Sequence, residues 1–296
     1  RSTVVEERLM RYDSKGLEGL VERFIAAAFI AHPYRHPIIG WESGIRNMSI
    51  RDVRDFFRAY YIPSRMTITV VGSQEPEKTF AVIEKYFGQI RAADEPAPVK
   101  TREPATAGER RLEYYFDANP YVLIGWQKPT FPSEVDLTCD IIAGILADGK
   151  TSRLYRSLVL EKRIAVSVDA WNGFPGARYD NLFVIAAAPR SPHTPQEVEA
   201  AIYEEIGKLA SEVSREEIEK VVNRNESSMV LDFQSNKGVA RILNHYQTIL
   251  GDWSYILRYL DEIRLVTPER VKRTIEKYFI GENRTVGMLL NKKDRK

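Results

Sequence analysis

Carboxylates and imidazoles at short spacing are the groups that can hold a metal ion or move a proton, and this sequence carries few arrangements of that kind. Two adjacent carboxylates, Glu6 and Glu7, stand in "VVEERLMRYD", which reads as the first turns of a helix. On their own residues they read equally as solvated helix glutamates, with Arg11 placed one turn on to pair with Glu7. His32 and His36 have the i, i+4 spacing of a metal pair, with Glu42 near. Pro33 follows one and Pro37 the other, so a helix presenting both to one metal is disfavoured, and the stretch reads as a loop. His193, between Pro192 and Pro195, reads as a turn residue, and His245 in "RILNHYQTIL" as a helix-face residue. Cys139 stands alone in an apolar stretch, which excludes an internal disulfide and predicts a small buried side chain.

The elements that must position these groups are legible from pattern. A chain of 296 residues with 44% hydrophobic and 28% charged residues has room for two ordinary domains. A net charge of +2, from 43 basic and 41 acidic residues, lacks the basic excess with which a protein displaces counterions from phosphates, so nucleic acid is excluded as a partner. No apolar run reaches a membrane span, and the first residues carry no basic-then-apolar signal. Proline and charge in "AADEPAPVKTREPATAG" predict a linker. Before it, Leu17, Leu20, Val21, Phe24, Ile25 and Phe29 fall at helical spacing, Ser49 caps a second helix that stops near Pro63, "MTITVVG" alternates as a strand, and "PEKTFAVIEKYFG" is helical. After it come strands at "RLEYYF", "YVLIGW", "AVSVDAW" and "NLFVIAAA", helices over 133–147 and 151–162, a helical stretch from Pro195 to Phe279 and a last strand, "RTVGMLL". Strands and helices occur in runs, which predicts α+β with an antiparallel or mixed sheet.

A repeat organises these elements. "GIRNMSIRDVRDFFRAYYIPSRMTITVV", from Gly44, lies over "EIRLVTPERVKRTIEKYFIGENRTVGMLL", from Glu262, at a constant offset of 218. Ser49 meets Thr267, Val53 meets Val271, Tyr60 meets Tyr278 and Ile62 meets Ile280. Two unrelated cap-helix-strand units obeying the same physics would also match in this way. A true duplication has a further implication: about 108 residues of the first copy would lie ahead of Arg1. The expected architecture is then two duplicated domains, each a mostly antiparallel sheet covered by helices, with the first copy incomplete.

The motifs "VVEERLMRYD", "FIAAAFIAHPYRHPIIGWESGI", "SIRDVRDFFRAYYIPSRMTITVVG" and "EKYFGQI" resemble the latter half of the catalytic domain of the pitrilysin and insulinase zinc metallopeptidases, a family that includes the mitochondrial processing peptidases. "LADGKTSRLYRSLVLEKRIAVSVDA" and "TPERVKRTIEKYF" resemble its second domain. The resemblance implies duplicated α+β domains facing each other like a clamshell. It divides the chain into residues 1–95, the second half of the zinc-side domain; 96–110, the linker; and 111–296, the homologous non-catalytic domain. In that family zinc is held by two histidines of an inverted His-x-x-Glu-His helix and by a glutamate on a later helix, and the latter position falls on Glu7. The inverted motif is absent from this chain. The resemblance therefore implies zinc in the complete enzyme, none bound by this chain, and no catalytic residue here. Family positions for a substrate-binding Arg and Tyr fall on Val159 and Val166, which leaves the substrate-binding residues unassigned; Arg153 reads as a helix-start arginine bridging to a carboxylate.

Two functions follow from the resemblance. One is a segment of a zinc metalloendopeptidase acting on peptides or proteins between its domains; the other is a non-catalytic partner subunit forming a homo- or heterodimer with a family member. Bacterial relatives are often exported, so a periplasmic or secreted location is compatible. A third reading, an unrelated α+β binding domain, predicts that residues 1–95 fold alone.

Overall fold

The computed structural model describes residues 1–295. Helix α1 (Ser2–Arg8) runs into a π-helical turn (Leu9–Asp13) and is followed by α2 (Gly16–Ala28), α3 (Glu42–Asn47), α4 (Ile50–Tyr60) and α5 (Pro76–Phe87). Strands β1 (Arg110–Phe116) and β2 (Tyr121–Lys128) lead to α6 (Glu134–Ala147), then β3 (Ala165–Phe174) and β4 (Asn181–Pro189). Helices α7 (Pro195–Glu212), α8 (Arg215–Phe233), α9 (Asn236–Leu250), α10 (Ile256–Arg264) and α11 (Pro268–Tyr278) precede β5 (Arg284–Asn291). The described strands form one sheet in the order β1-β5-β2-β4-β3. Only β1 and β5 pair in parallel, so the sheet is mixed and the fold is α+β.

Both faces of this sheet are apolar, which explains near-continuous runs such as "LFVIAAA". Val122, Ile124, Trp126, Phe183, Ile185, Ala187, Val286 and Met288 point to a core shared with α6, α7 and α11. Leu123, Leu182, Val184, Ala186 and Leu289 point the other way, where α2 covers them with Leu20, Phe24, Ile25 and Ala28. Phe24 reaches the strands because two facing positions are glycine. A Cβ on Gly125 would lie 2.8 Å from Phe24 Cζ, and one on Gly287 would lie 3.2 Å from side-chain atoms of Leu20 and Phe24.

The repeat is visible in the elements. Adding 218 to the limits of α4 gives those of α11, and adding it to the 3₁₀ turn Pro63–Arg65 gives Gly281–Asn283. The surroundings differ. Val271 and Ile275 are buried, whereas their counterparts Val53 and Phe57 are exposed, as are Phe56 and Tyr60. "MTITVVG" is not a strand: its counterpart in β5 is paired on both sides, whereas residues 66–72 have no strand partner among the described residues. An alternating pattern becomes a strand only where a neighbour takes its backbone N–H and C=O groups.

Residues 103–110 are pinned. Glu103 accepts the backbone N–H groups of Ile30, Ala31 and His32 (2.8, 2.9 and 2.9 Å). Arg110, the first residue of β1, donates to the last carbonyls of α2, on Ala27 (3.1 Å) and Ala28 (2.6 Å), and lies 3.6 Å from Glu103.

The packing of Phe24 supplies a test. Gly125→Ala is expected to cost about 1–3 kcal/mol by overpacking. In the Phe24→Leu background, where the ring tip is gone, the same change is expected to cost less, by a coupling of at least about 0.5 kcal/mol in urea unfolding. Additive costs would show that Phe24 does not occupy the space above Gly125.

Candidate functional site

The segment that carries Glu7 is organised by the residue after it. Arg8 is 6% exposed and its partner Glu22, on α2, 2%. The guanidinium donates to both Glu22 carboxylate oxygens (2.7 and 3.0 Å) and to the carbonyl of Gly40 (2.7 Å), with Asp13 at 3.3 Å. Trp41 and Tyr12 place rings 5.9 and 5.8 Å from its carbon. The hydrogen bonds that Arg8 donates to Glu22 raise its pKa, so the charge is permanent. Helix α1, α2 and the loop at Gly40 are thus fixed to one another through a single cation. With Arg8 turned inward, Glu6 and Glu7 face solvent. Glu7 Oε1 lies 3.2 Å from Arg11 Nε at the π-helical turn, a distortion often found at functional sites.

The histidines lie elsewhere. His32 is buried; its Nδ1 accepts the N–H of Tyr34 (3.2 Å), its ring packs against Tyr34 and Tyr179, and burial lowers its pKa, so it is a neutral structural residue. His36 is exposed. His193 Nδ1 is 3.0 Å from Glu197, in the capping box that opens α7. His245 is on α9, its pKa lowered by desolvation. Cys139 is fully buried and its thiol pushed far upward by desolvation, which leaves it inert. Among the described residues no three His, Cys, Asp or Glu side chains converge on a point that could hold a metal. A lone exposed carboxylate does not meet the three-ligand requirement of a catalytic zinc, so the residues of this chain do not by themselves fit the metal.

On the sheet side, Val159 is a core residue and Val166 is exposed on β3, an edge strand; neither side chain can donate a hydrogen bond. Arg153 grips Glu217, at the start of α8, with two bonds of 2.7 and 2.8 Å.

A cluster of polar side chains joins α6, α8 and α10. Asn225 Nδ2 lies 3.5 Å from Tyr259 Oη, and that hydroxyl donates to Asp140 Oδ2 on α6 (3.4 Å). Asp140 also accepts from Asn172 Nδ2 (2.8 Å). Desolvation lifts its pKa from 3.8 to about 6, with the negative charge of Asp136 adding to the shift. Sequence reasoning did not reach Asp140, Asn225 and Tyr259, because no local motif links residues so far apart.

Comparison with known proteins follows the same lines. A family model described as "Peptidase M16 inactive domain" matches residues 47–225. Zinc protease PqqE of Helicobacter pylori is 27% identical over 270 residues, which is 88% of this chain and 60% of that protein. The crystal structure of a protease from Helicobacter pylori superposes with a TM-score of 0.91 at 25% identity, covering 98% of this chain and 70% of the other. An M16-like peptidase from Alicyclobacillus acidocaldarius shares the fold, with a TM-score of 0.80 at 17% identity over 98% of this chain and 69% of the other.

Two outcomes are expected. Arg8→Met leaves Glu22 buried and unpaired and should cost about 3–5 kcal/mol in urea unfolding, most of it recovered in Arg8→Met/Glu22→Leu. Asp140 binds its proton more tightly folded than unfolded, so its contribution to stability is complete below about pH 4 and declines as pH rises through about 6. Asp140→Asn should remove that decline, read as the difference between the two proteins' stability curves against pH.

Proposed function

Because the chain belongs to the family described as the peptidase M16 inactive domain, we propose that it is the largely non-catalytic portion of a pitrilysin-type zinc metalloendopeptidase that degrades peptides between two homologous domains. In this reading residues 1–95 are the second half of the zinc-side domain, 96–110 the connection and 111–296 the non-catalytic domain. The observation that carries it is the match of nearly the whole chain to a Helicobacter pylori protease of which it covers 70%. Glu7 then supplies one zinc ligand, with the remaining ligands and the general base coming from residues outside this sequence. Arg8 is the positioning residue, because its lock on Glu22 and Gly40 turns the neighbouring carboxylate outward. An extended peptide adds to a sheet edge, where backbone groups are free to pair.

A second reading, a non-catalytic subunit paired with an active family member, is favoured by one observation: Val159 and Val166 offer no donor to a substrate backbone.

Metal analysis separates these readings. The 296-residue chain alone is expected to retain no stoichiometric zinc after dialysis and to show no peptidase activity. In a chain extended at its front by its own natural sequence, zinc is expected at one equivalent, and Glu7→Gln should weaken its retention by at least about a hundredfold. Zinc retention indifferent to Glu7→Gln would remove Glu7 from the metal. An extended chain without bound zinc would favour the partner-subunit reading.

A further inference from the structure

Phe131, Asp136, Asp140, Tyr246, Tyr255 and Tyr259 line a cavity of about 250 Å³. Four aromatic rings form much of its wall. Phe131 meets Tyr255 edge-on at 4.3 Å, Tyr246 lies 5.3 Å from Tyr255, and Tyr259 lies 6.5 Å from it. The Tyr255 hydroxyl is tied to Glu262 (2.7 Å), which fixes its ring.

Two carboxyl groups reach this cavity, and their situations differ. Asp136 is neutralised by a direct ion pair with Lys128. Asp140 has no cation within ion-pair distance among the described residues; it accepts only from the neutral groups of Asn172 and Tyr259. Asn172 donates to Asp140 and to the carbonyl of Asp136 (2.9 Å), and its own Oδ1 is buried without a hydrogen-bond partner. The site therefore combines a carboxyl lacking a counter-charge, an unused amide oxygen and several aromatic rings. That is the composition that recognises an organic cation, since ring faces and a carboxylate both attract positive charge while the apolar walls favour carbon-bearing groups over hydrated metal ions. Its volume lies below the usual range for drug-sized ligands, as suits a single alkylammonium head.

We propose that the cavity between α6, β3, α9 and α10 is a binding site for an organic ammonium group, centred on Asp140 and walled by Phe131, Tyr246, Tyr255 and Tyr259. The ammonium comes either from a free amine or from a lysine side chain of a bound peptide. Asp140 supplies the counter-charge, Asn172 and Tyr259 orient it, and the rings enclose the alkyl groups. This assignment stands independently of whether zinc binds at Glu7.

Isothermal titration calorimetry on the 296-residue chain tests the site, with tetramethylammonium chloride, butylamine and Nα-acetyl-lysine amide as probes and tert-butanol as a neutral control of similar size. Saturable heats are expected for the cations and none for tert-butanol. Asp140→Asn, which keeps the shape, should weaken cation binding about tenfold, and Tyr246→Leu, which keeps bulk but removes a ring, about threefold. Tighter binding of acetyl-lysine amide than of butylamine identifies a peptide as the source, and the reverse order a free amine; both support the site. Absence of saturable cation binding, equal binding of tert-butanol, or binding unchanged in Asp140→Asn with far-UV circular dichroism intact would overturn it.

Discussion

The structure depends on one fit: Phe24 of α2 seated over Gly125 and Gly287 of the sheet. A sheet with apolar residues on both faces cannot leave either in water, and α6, α7 and α11 cover only one. The other is covered by α2, which precedes every strand it protects, β5 by more than 250 residues. Leu20, Phe24, Ala28 and Leu289 consequently belong to one core. Residues 1–95 separated from the strands would lose that core, which argues against their folding alone. The exchange is reciprocal: where α2 covers Gly287, the residue at the equivalent place in the first copy, Thr69, donates to Asn244 of α9 (3.5 Å).

Charge does the finer positioning around this fit. Arg8 joins α1, α2 and the Gly40 loop, and both it and its carboxylate partner Glu22 are nearly excluded from water. A buried ion pair is weak evidence of added stability, but removing one partner is costly, so it holds its neighbours in one arrangement. Glu103 and Arg110 do the equivalent at the far end of α2, the carboxylate taking three orphan N–H groups of the following loop and the guanidinium taking the helix's last carbonyls.

Much of this was legible in the sequence, and the failures have causes. The cap at Ser49 and the cap at Thr267 each open a helix of the expected extent, because capping and amphipathic spacing are local. The family was legible because several motifs stood in order. The strand pattern at 66–72 misled, since alternation reports which side chains suit a sheet and says nothing of whether a neighbouring strand is present. The parallel pairing of β1 with β5 had no signal, because strand order is decided by packing across the whole chain. At the candidate site, the pairing of Glu7 with Arg11 was readable from helical spacing, whereas Arg8 looked like any charged residue of an amphipathic helix. Its burial is set by Glu22 and Gly40, and no local rule singles them out. The Asp140 cavity was invisible for the same reason: Asp140 and Tyr259 are 119 residues apart.

The grip of Glu103 on residues 30–32 makes the intervening stretch a loop closed at its neck. The cost of bringing two distant points together grows only slowly with the chain between them, so what lies inside the loop weighs little on the closure itself. A backbone cut in the exposed stretch after α5 would therefore leave two fragments still clasped at the neck and through α2. The molecule would migrate as one body under native conditions and separate only when denatured. Nicking, insertion or lengthening within that stretch is thus decoupled from the integrity of the sheet, and the closed neck, rather than the continuity of the chain, holds its two ends together.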